Sequence, residues 1–387
     1  MIGYNRLCNL EDFADPSLRT IIREVFQHEL DAFPPDYPDG VADSKQWEIA
    51  MAIRGLRDHG ALTPQARLLG VGAGTEITSF FLTRYANEVV ATDIYANAEA
   101  WADVAPAAFL ANPAAFSVIP FDTRRLVPLH MDGRVLDFPD NSFDGAFSSG
   151  SIEHFGSRES VSNSAYEIGR VLKPGGIAAI ATEFKLGGAP GDGWDPNVIL
   201  FTADTLRKYI VEASGLEPVD QPEFEMSDAT LATRRDLVGF LAGASAVSSP
   251  AEKIGIYPNL ILFHEGYVFC SVHVTLRKTA IYPAKDNAWA VPTEDMRRAV
   301  RAAREAAATH LATTSAVGND LLQLLRDPPE PEPDILIQNP EIQLQIQLLE
   351  AELAAIRNSR SWRMTAPVRG FGMAARLLRR GFFLHRS

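Results

Sequence analysis

An α/β domain built on a mostly parallel sheet is the fold class this sequence predicts, and three observations predict it. Between Arg67 and Lys278, short apolar runs of strand type alternate with helix-type stretches, the pattern of strands joined by helical crossovers. A glycine-rich turn, Gly70-Val-Gly-Ala-Gly74, leads straight from the first strand into a helix beginning near Ile77. A late pair of strands, 260–263 and 267–276, brackets His264-Glu-Gly266 and reads as a hairpin at a sheet edge.

In chain order, the first 43 residues contain one expected helix, Leu18 to Leu30, and a Pro/Asp-rich loop from Phe33 to Gly40. Ser44 stands where it would cap a second helix, whose apolar residues Trp47, Ala50, Ile53 and Leu56 recur every three or four positions. Strands are expected at 67–71, 88–92, 144–148 and 176–182, and residues 222–255 read mostly as helix with loops. An Ala/Arg-rich helix follows from Thr293 to Thr309, then a shorter one from Asp320 to Arg326. Asp327-Pro-Pro-Glu-Pro-Glu-Pro-Asp334 is an extended, semi-rigid linker by composition. Beyond it Ile342, Ile346, Leu349, Leu353 and Ile356 follow heptad spacing. Two heptads leave two readings open, self-association or a lone amphipathic helix packed on the body. The resulting division is a helical N-terminal cap (1–43), the α/β domain (44–285), a helical extension (286–326), the linker (327–340), a short coiled coil (341–358) and a basic amphipathic tail (359–387).

Charge divides the chain. Its net charge is −13, yet residues 353–387 hold eight arginines and no acidic residue, leaving 28 basic against 49 acidic residues elsewhere. An acidic body argues against a nucleic-acid partner. The basic tail implies a partner of its own. The two cysteines, Cys8 and Cys270, form no ligand pattern or disulfide framework, which favours a reducing, cytoplasmic setting. No secretory signal opens the sequence, and no stretch reaches the roughly 18 apolar residues of a membrane span.

The chemistry is written around the glycines. Gly72 and Gly74 allow a sharp turn and leave room for a ligand to approach the main chain. The helix that follows would offer free N–H groups to an anion. The spacing is not that of a dinucleotide fingerprint, because Thr75 and Ile77 stand where a third glycine would fall. The next strand ends Val89-Val-Ala-Thr-Asp93, which puts a carboxylate about 20 residues past the glycines, where ribose hydroxyls are bound in such folds. Further on come Met131-Asp132-Gly133, then Leu136-Asp-Phe-Pro-Asp-Asn-Ser-Phe-Asp144, then Arg170-Val-Leu-Lys-Pro-Gly-Gly176.

This ordered set resembles the class I, Rossmann-like S-adenosylmethionine-dependent methyltransferases over about 44–278, most strongly over 67–184. The resemblance implies a seven-stranded sheet with a reversed final strand and S-adenosyl-L-methionine as cofactor. It implies that Gly72 and Gly74 line the methionine portion, that Asp93 binds ribose and that Asp132 accepts from the adenine amino group. Gly70, Ala73, Glu76, Ile94, Gly133 and Ser149 complete the expected cofactor-binding set. Two positions depart from the family pattern: Gly70 stands where an acidic residue is usual, and Glu76 where a glycine is usual. Glu76 is expected to take over recognition of the cofactor's amino group, against the plainer reading of a helix-start glutamate.

Ser148-Ser-Gly-Ser-Ile-Glu-His154 follows a strand at the ligand-binding end of such sheets. His154, and second to it Glu153, are candidate general bases for a hydroxyl acceptor, although His154 after Glu153 also fits a loop-orienting role. His130 and His273 read as packing residues, and no His/Asp/Glu set has metal-ligand spacing. Asn358-Ser-Arg-Ser-Trp-Arg-Met-Thr-Ala-Pro-Val-Arg369 resembles the segment after short coiled coils in bacterial glycosyltransferases and methyltransferases of surface polysaccharide assembly. Phe371, Met373, Leu377, Leu378, Phe382, Phe383 and Leu384 then alternate with arginines, as in helices that lie on an anionic membrane face. Docking of the tail on the acidic body is the alternative. The leading expectation is methylation of a sugar, glycan or related small molecule near the inner membrane face. Methylation of an unrelated metabolite, or a catalytically silent coiled-coil scaffold, stands against it.

Overall fold

The structure, a computed structural model, describes residues 2–29, 36–95, 104–193, 198–233, 258–280 and 287–306. The short helix at 320–326, the linker, the heptad seam and the basic tail lie outside the described residues, as does most of the stretch 222–255. The elements are β1 (Arg6–Leu7), α1 (Pro16–Val25), α2 (Ser44–Asp58), β2 (Arg67–Val71), α3 (Ile77–Leu82), β3 (Glu88–Asp93), α4 (Ala108–Ala111), β4 (Leu126–His130), β5 (Phe143–Ser149), α5 (Arg158–Val171) and β6 (Leu172–Gly188). After them come α6 (Ala203–Leu206), β7 (Glu217–Pro218), α7 (Asp228–Ala232), β8 (Leu262–His264) and β9 (Tyr267–Arg277). Residues 294–306 are helical.

The sheet has nine strands, seven of them in the order β1-β9-β6-β5-β2-β3-β4, with β7 and β8 also paired to β9. The strands from β4 to β6 run parallel, and β9 is reversed against β6. This is the mostly parallel α/β sheet expected, with the reversed late strand that the family resemblance implies; β7 and β8 take it beyond the seven strands of that expectation. Alternation along each strand serves two cores. Leu68, Val89, Ala91, Ile177 and Ala179 pack with α1 and α2 on one face. Leu69, Val90, Ala178 and Ile180 pack with α5 on the other. Strands buried on both faces read as continuous apolar runs, which is why β2, β3, β5 and β6 were visible.

Four local expectations change. The first helix ends at Val25 rather than Leu30. Asp43, not Ser44, caps α2, its carboxylate accepting from the Lys45 and Gln46 amides. A strand not among those expected forms at Leu126–His130, where Pro128 removes a donor; β4 tolerates it because it lies at the sheet's edge. The late hairpin turns through Glu265 and Gly266, both with positive φ, as tight hairpins require. Its long strand β9, however, lies inside the sheet, because β1 from the N-terminal segment covers its far side. The segment expected as a helical cap thus also supplies a strand.

α2 lies on the sheet with nearly every residue from Ser44 to Leu56 buried. Lys45 is the exception, and it sits at the strand ends where the site forms.

His273 on β9 is fully buried, with Nδ1 2.8 Å from the Tyr4 carbonyl. Burial depresses its pKa to about 4 from the ordinary 6.5. Protons then bind the unfolded chain first as pH falls, so this residue withdraws stability between about pH 6.5 and 4, by about 3 kcal/mol in all. Urea unfolding of His273→Gln should show a deficit against wild type that narrows by about that amount from pH 7 to pH 4. A deficit constant with pH would contradict the buried neutral histidine.

Candidate functional site

β2 delivers the chain into the glycine loop, and neighbouring elements hold the loop at almost every polar atom. Thr92 Oγ1 donates to the Gly70 carbonyl (2.7 Å), Ser151 Oγ to that of Gly72 (2.6 Å) and Tyr95 Oη to that of Gly74 (2.8 Å). The Ala73, Thr75 and Glu76 amides donate to the carbonyls of Thr92, Val104 and Ala73. The Gly74 amide donates to Asp93 Oδ2 (2.9 Å), and the Ile94 amide to Asp93 Oδ1 (2.7 Å). Gly72 and Gly74 have φ of +65° and +44°, where side chains are disfavoured.

The reason for the glycines differs from the sequence reading. A Cβ on Gly72 would meet Ser151 at 2.7 Å, and one on Gly74 would meet the Val104 carbonyl at 2.6 Å. Both point at protein, not at open ligand space. Gly70, where the resembled family usually has an acid, has no room for one: a Cβ there would lie 2.7 Å from the Phe147 ring and 2.8 Å from Ala73 Cβ. Phe147 reaches this place because β5 pairs Phe147 directly with Gly70.

A cavity of about 530 Å³ opens at this end of the sheet, and its lining brings together Gly72, Asp93, Ile94, Asp132, Gly133 and His154. Tyr95, Arg134, Ser151 and Phe155 line it too; none was singled out from the sequence. Gly70, Ala73, Gly74, Glu76, Ser149 and Glu153 are not in the lining. Burial raises the pKa of Asp93, against the two amides that hold its charged form. The Asp132 carboxylate is gripped by the Arg134 guanidinium through Nε (2.9 and 3.1 Å) and Nη2 (2.6 Å). Phe155 packs beside both Gly72 and Gly133, where added Cβ atoms would come within 3.1 and 2.6 Å of its ring.

The single turn Ile152–His154 carries the candidate base. His154 Nε2 is 3.9 Å from Glu153 Oε1, an electrostatic rather than hydrogen-bonded approach. Glu153 is buried and accepts from Thr182 Oγ1 (2.8 Å). Burial raises its pKa, with the charge of His154 opposing. Glu183, raised strongly by burial, adds repulsion with Glu48 and Glu153.

Glu76 precedes α3 but gives it no side-chain cap. Its carboxylate accepts instead from Thr78 Oγ1 and lies 3.9 Å from Lys45 Nζ. Burial raises its pKa, and Lys45 opposes. Lys45 Nζ donates to Glu48 Oε2 (2.8 Å) and to the Ser149 carbonyl (3.0 Å). Desolvation alone would lower the Lys45 pKa, but Glu48 and Glu76 reverse this and raise it. Nothing in the sequence around Lys45 marks it; α2 carries it to the site. Among the described residues, no group of three or more His, Cys, Asp or Glu side chains is placed to hold a metal ion. No helix among them is long and apolar enough to cross a membrane.

Residues 69–180 match the model of a family described as a methyltransferase domain. Over that stretch the chain is similar to methyltransferase domains, and its cofactor is S-adenosyl-L-methionine. No curated protein matches the chain. Among solved structures, the [4+2]-cyclase SpnF is similar at 22% identity over 68% of this chain and 94% of its own, with a TM-score of 0.40. The Burkholderia thailandensis 1,6-didemethyltoxoflavin-N1-methyltransferase, solved with 1,6-didemethyltoxoflavin and S-adenosylhomocysteine, is 18% identical over 70% and 92%, at 0.37. An S-adenosylmethionine-dependent methyltransferase from Mesorhizobium loti is 18% identical over 58% and 96%, at 0.36.

Gly70→Ala should cost about 1–3 kcal/mol of stability by overpacking against Phe147. Thermal melts of Gly70→Ala, Phe147→Ala and the double variant should show the double less destabilised than the sum. Strict additivity would mean that Phe147 does not fill the space.

Proposed function

We propose that the chain transfers the methyl group of S-adenosyl-L-methionine to a hydroxyl of a sugar, glycan or related small molecule, with His154 as general base. One observation carries the proposal. The glycine loop, Asp93 and Asp132 come from separate segments yet share one cavity, and His154 lines the same cavity.

The cofactor, when bound, supplies a methyl group already activated on a sulfonium. The residues present fit it. Asp93 would take the ribose hydroxyls, its carboxylate oriented by the Gly74 and Ile94 amides. Asp132 would meet the adenine edge, and the Arg134 guanidinium holds that carboxylate in place. The side chain of Ile94, 51% exposed, offers an apolar face to a ring.

The protein's remaining tasks are alignment and exclusion of water, which in well-arranged systems supply about 7–11 kcal/mol of barrier lowering. A hydroxyl acceptor also has to lose a proton. His154 can receive it, and the buried Glu153 carboxylate beside it would stabilise the imidazolium so formed. Thr182 fixes Glu153 for that role.

The sugar or glycan class rests on the segment 358–369 and its likeness to surface-polysaccharide enzymes. The basic tail would hold the enzyme at an anionic membrane face, each basic residue there contributing about 1 kcal/mol. The heptad seam would pair it with a second copy or a partner helix.

Calorimetry should show wild type binding S-adenosylhomocysteine and Asp93→Asn binding it at least roughly tenfold more weakly. His154→Ala should retain that affinity while kcat for methyl transfer to a hydroxyl acceptor falls roughly 100- to 10,000-fold. Unimpaired turnover by His154→Ala would remove it as base, and no binding by wild type would remove the whole reading. Flotation with phosphatidylserine-containing liposomes should recover the full chain but not one truncated after residue 358; equal recovery would leave the tail without a membrane role.

A further inference from the structure

Cofactor recognition is completed, at the amino-acid end, by a residue that neither the motifs nor the family match assigns. That end carries a carboxylate and an ammonium, and each needs a partner of opposite charge once removed from water. Of the main-chain donors in the loop, the amides of Ala73, Gly74, Thr75 and Glu76 each have an acceptor within the protein. α3, at six residues, is too short to offer a strong dipole. A carboxylate arriving here is held most strongly by a side-chain cation.

Lys45 supplies one. Its ammonium links two segments that each lend a residue to the cavity lining, Gly150 and Gly72; it lies 3.0 Å from the Ser149 carbonyl at the end of β5 and 3.9 Å from Glu76 at the end of the glycine loop. A Cβ placed on Gly150, a cavity-lining residue, would fall 2.7 Å from Nζ. The ammonium has three donors, of which Glu48 and Ser149 take two. The side chain is half exposed, whereas Glu48 and Glu153 beside it are buried. Arg134, which lines the cavity, is committed to Asp132.

We infer that Lys45 binds the carboxylate of the cofactor's methionine portion through its third N–H, with Glu76 beside it facing the ammonium. The two residues form a zwitterion turned the opposite way to the ligand's own. This rests on the cofactor reading above, and the experiment separates the two.

Three ligands are titrated calorimetrically into wild type, Lys45→Met and Lys45→Arg: S-adenosylhomocysteine, 5′-methylthioadenosine, which lacks the amino-acid end, and decarboxylated S-adenosylmethionine, which lacks only the carboxylate. Lys45→Met should weaken S-adenosylhomocysteine roughly tenfold or more, and Lys45→Arg should recover most of the loss. Decarboxylated S-adenosylmethionine should bind Lys45→Met as well as wild type or better, because the uncovered carboxylates favour its net positive charge; 5′-methylthioadenosine should change by no more than about twofold. An unchanged affinity for S-adenosylhomocysteine overturns the inference. So does an equal loss on all three ligands, which would make Lys45 a packing residue. If Lys45→Met fails to fold, Lys45→Gln takes its place with the same three-ligand comparison. Failure of wild type to bind any of the three would instead overturn the cofactor reading itself.

Discussion

The glycine loop after β2 depends on being held by its neighbours. Free, a segment with glycines at 70, 72 and 74 would sample many conformations and lose much entropy on binding a ligand. Here Thr92, Asp93 and Tyr95 from the end of β3 grip it on one side, and Ser151 after β5 grips it on the other. The order β3-β2-β5 is what makes this possible, because it puts the two gripping strands on either side of the loop's own strand. The ordering cost is met by folding, before any ligand arrives.

Charge is the second constraint. Glu76, Glu153 and Glu183 gather with Glu48 near the same strand ends, and burial favours the neutral forms of the first three. Against this, Lys45 and Thr78 favour the charged form of Glu76, and His154 and Thr182 that of Glu153, while Glu48 accepts hydrogen bonds from Lys45 and Ser271. Acids in this setting are poised to take either a proton or a cation. A positively charged ligand entering beside them meets a wall whose charge it can satisfy, which suits a sulfonium compound better than a neutral nucleoside.

Legibility in the sequence followed burial and chain direction. Strands covered on both faces stand out, and Asp93 and His154 are legible because each lies at or just beyond the end of an expected strand, where such sheets bind ligands; Asp132 is legible only through the Met131-Asp-Gly133 motif of the resembled family. β4 was missed because Pro128 argues against a strand unless the strand is known to lie at an edge. The interior place of β9 was hidden because the strand that covers it, Arg6–Leu7, lies more than 250 residues earlier and is too short to show a period. Lys45, Tyr95, Ser151 and Phe155 gain their roles only from tertiary placement. The glycines were recognised with an incomplete reason: the space they leave is filled by Ser151, Val104 and Phe147, so they serve packing first and the ligand through the loop shape that results.

That packing also ties binding to chemistry. Phe155 lies against Gly72 and Gly133, one from the glycine loop and the other from the Asp132 segment, and so spans the floor on which a cofactor would rest. His154 is its immediate neighbour in the same tight turn, and Ser151 at the start of that turn holds the Gly72 carbonyl. A shift of the turn that loosened the cofactor's seat would move the imidazole as well. A protein whose candidate base and cofactor floor share five consecutive backbone positions, Ser151 to Phe155, cannot tune one without disturbing the other. Selection on acceptor range would then fall on the outer cavity wall instead, around Ser157 and Ser160 at the start of α5.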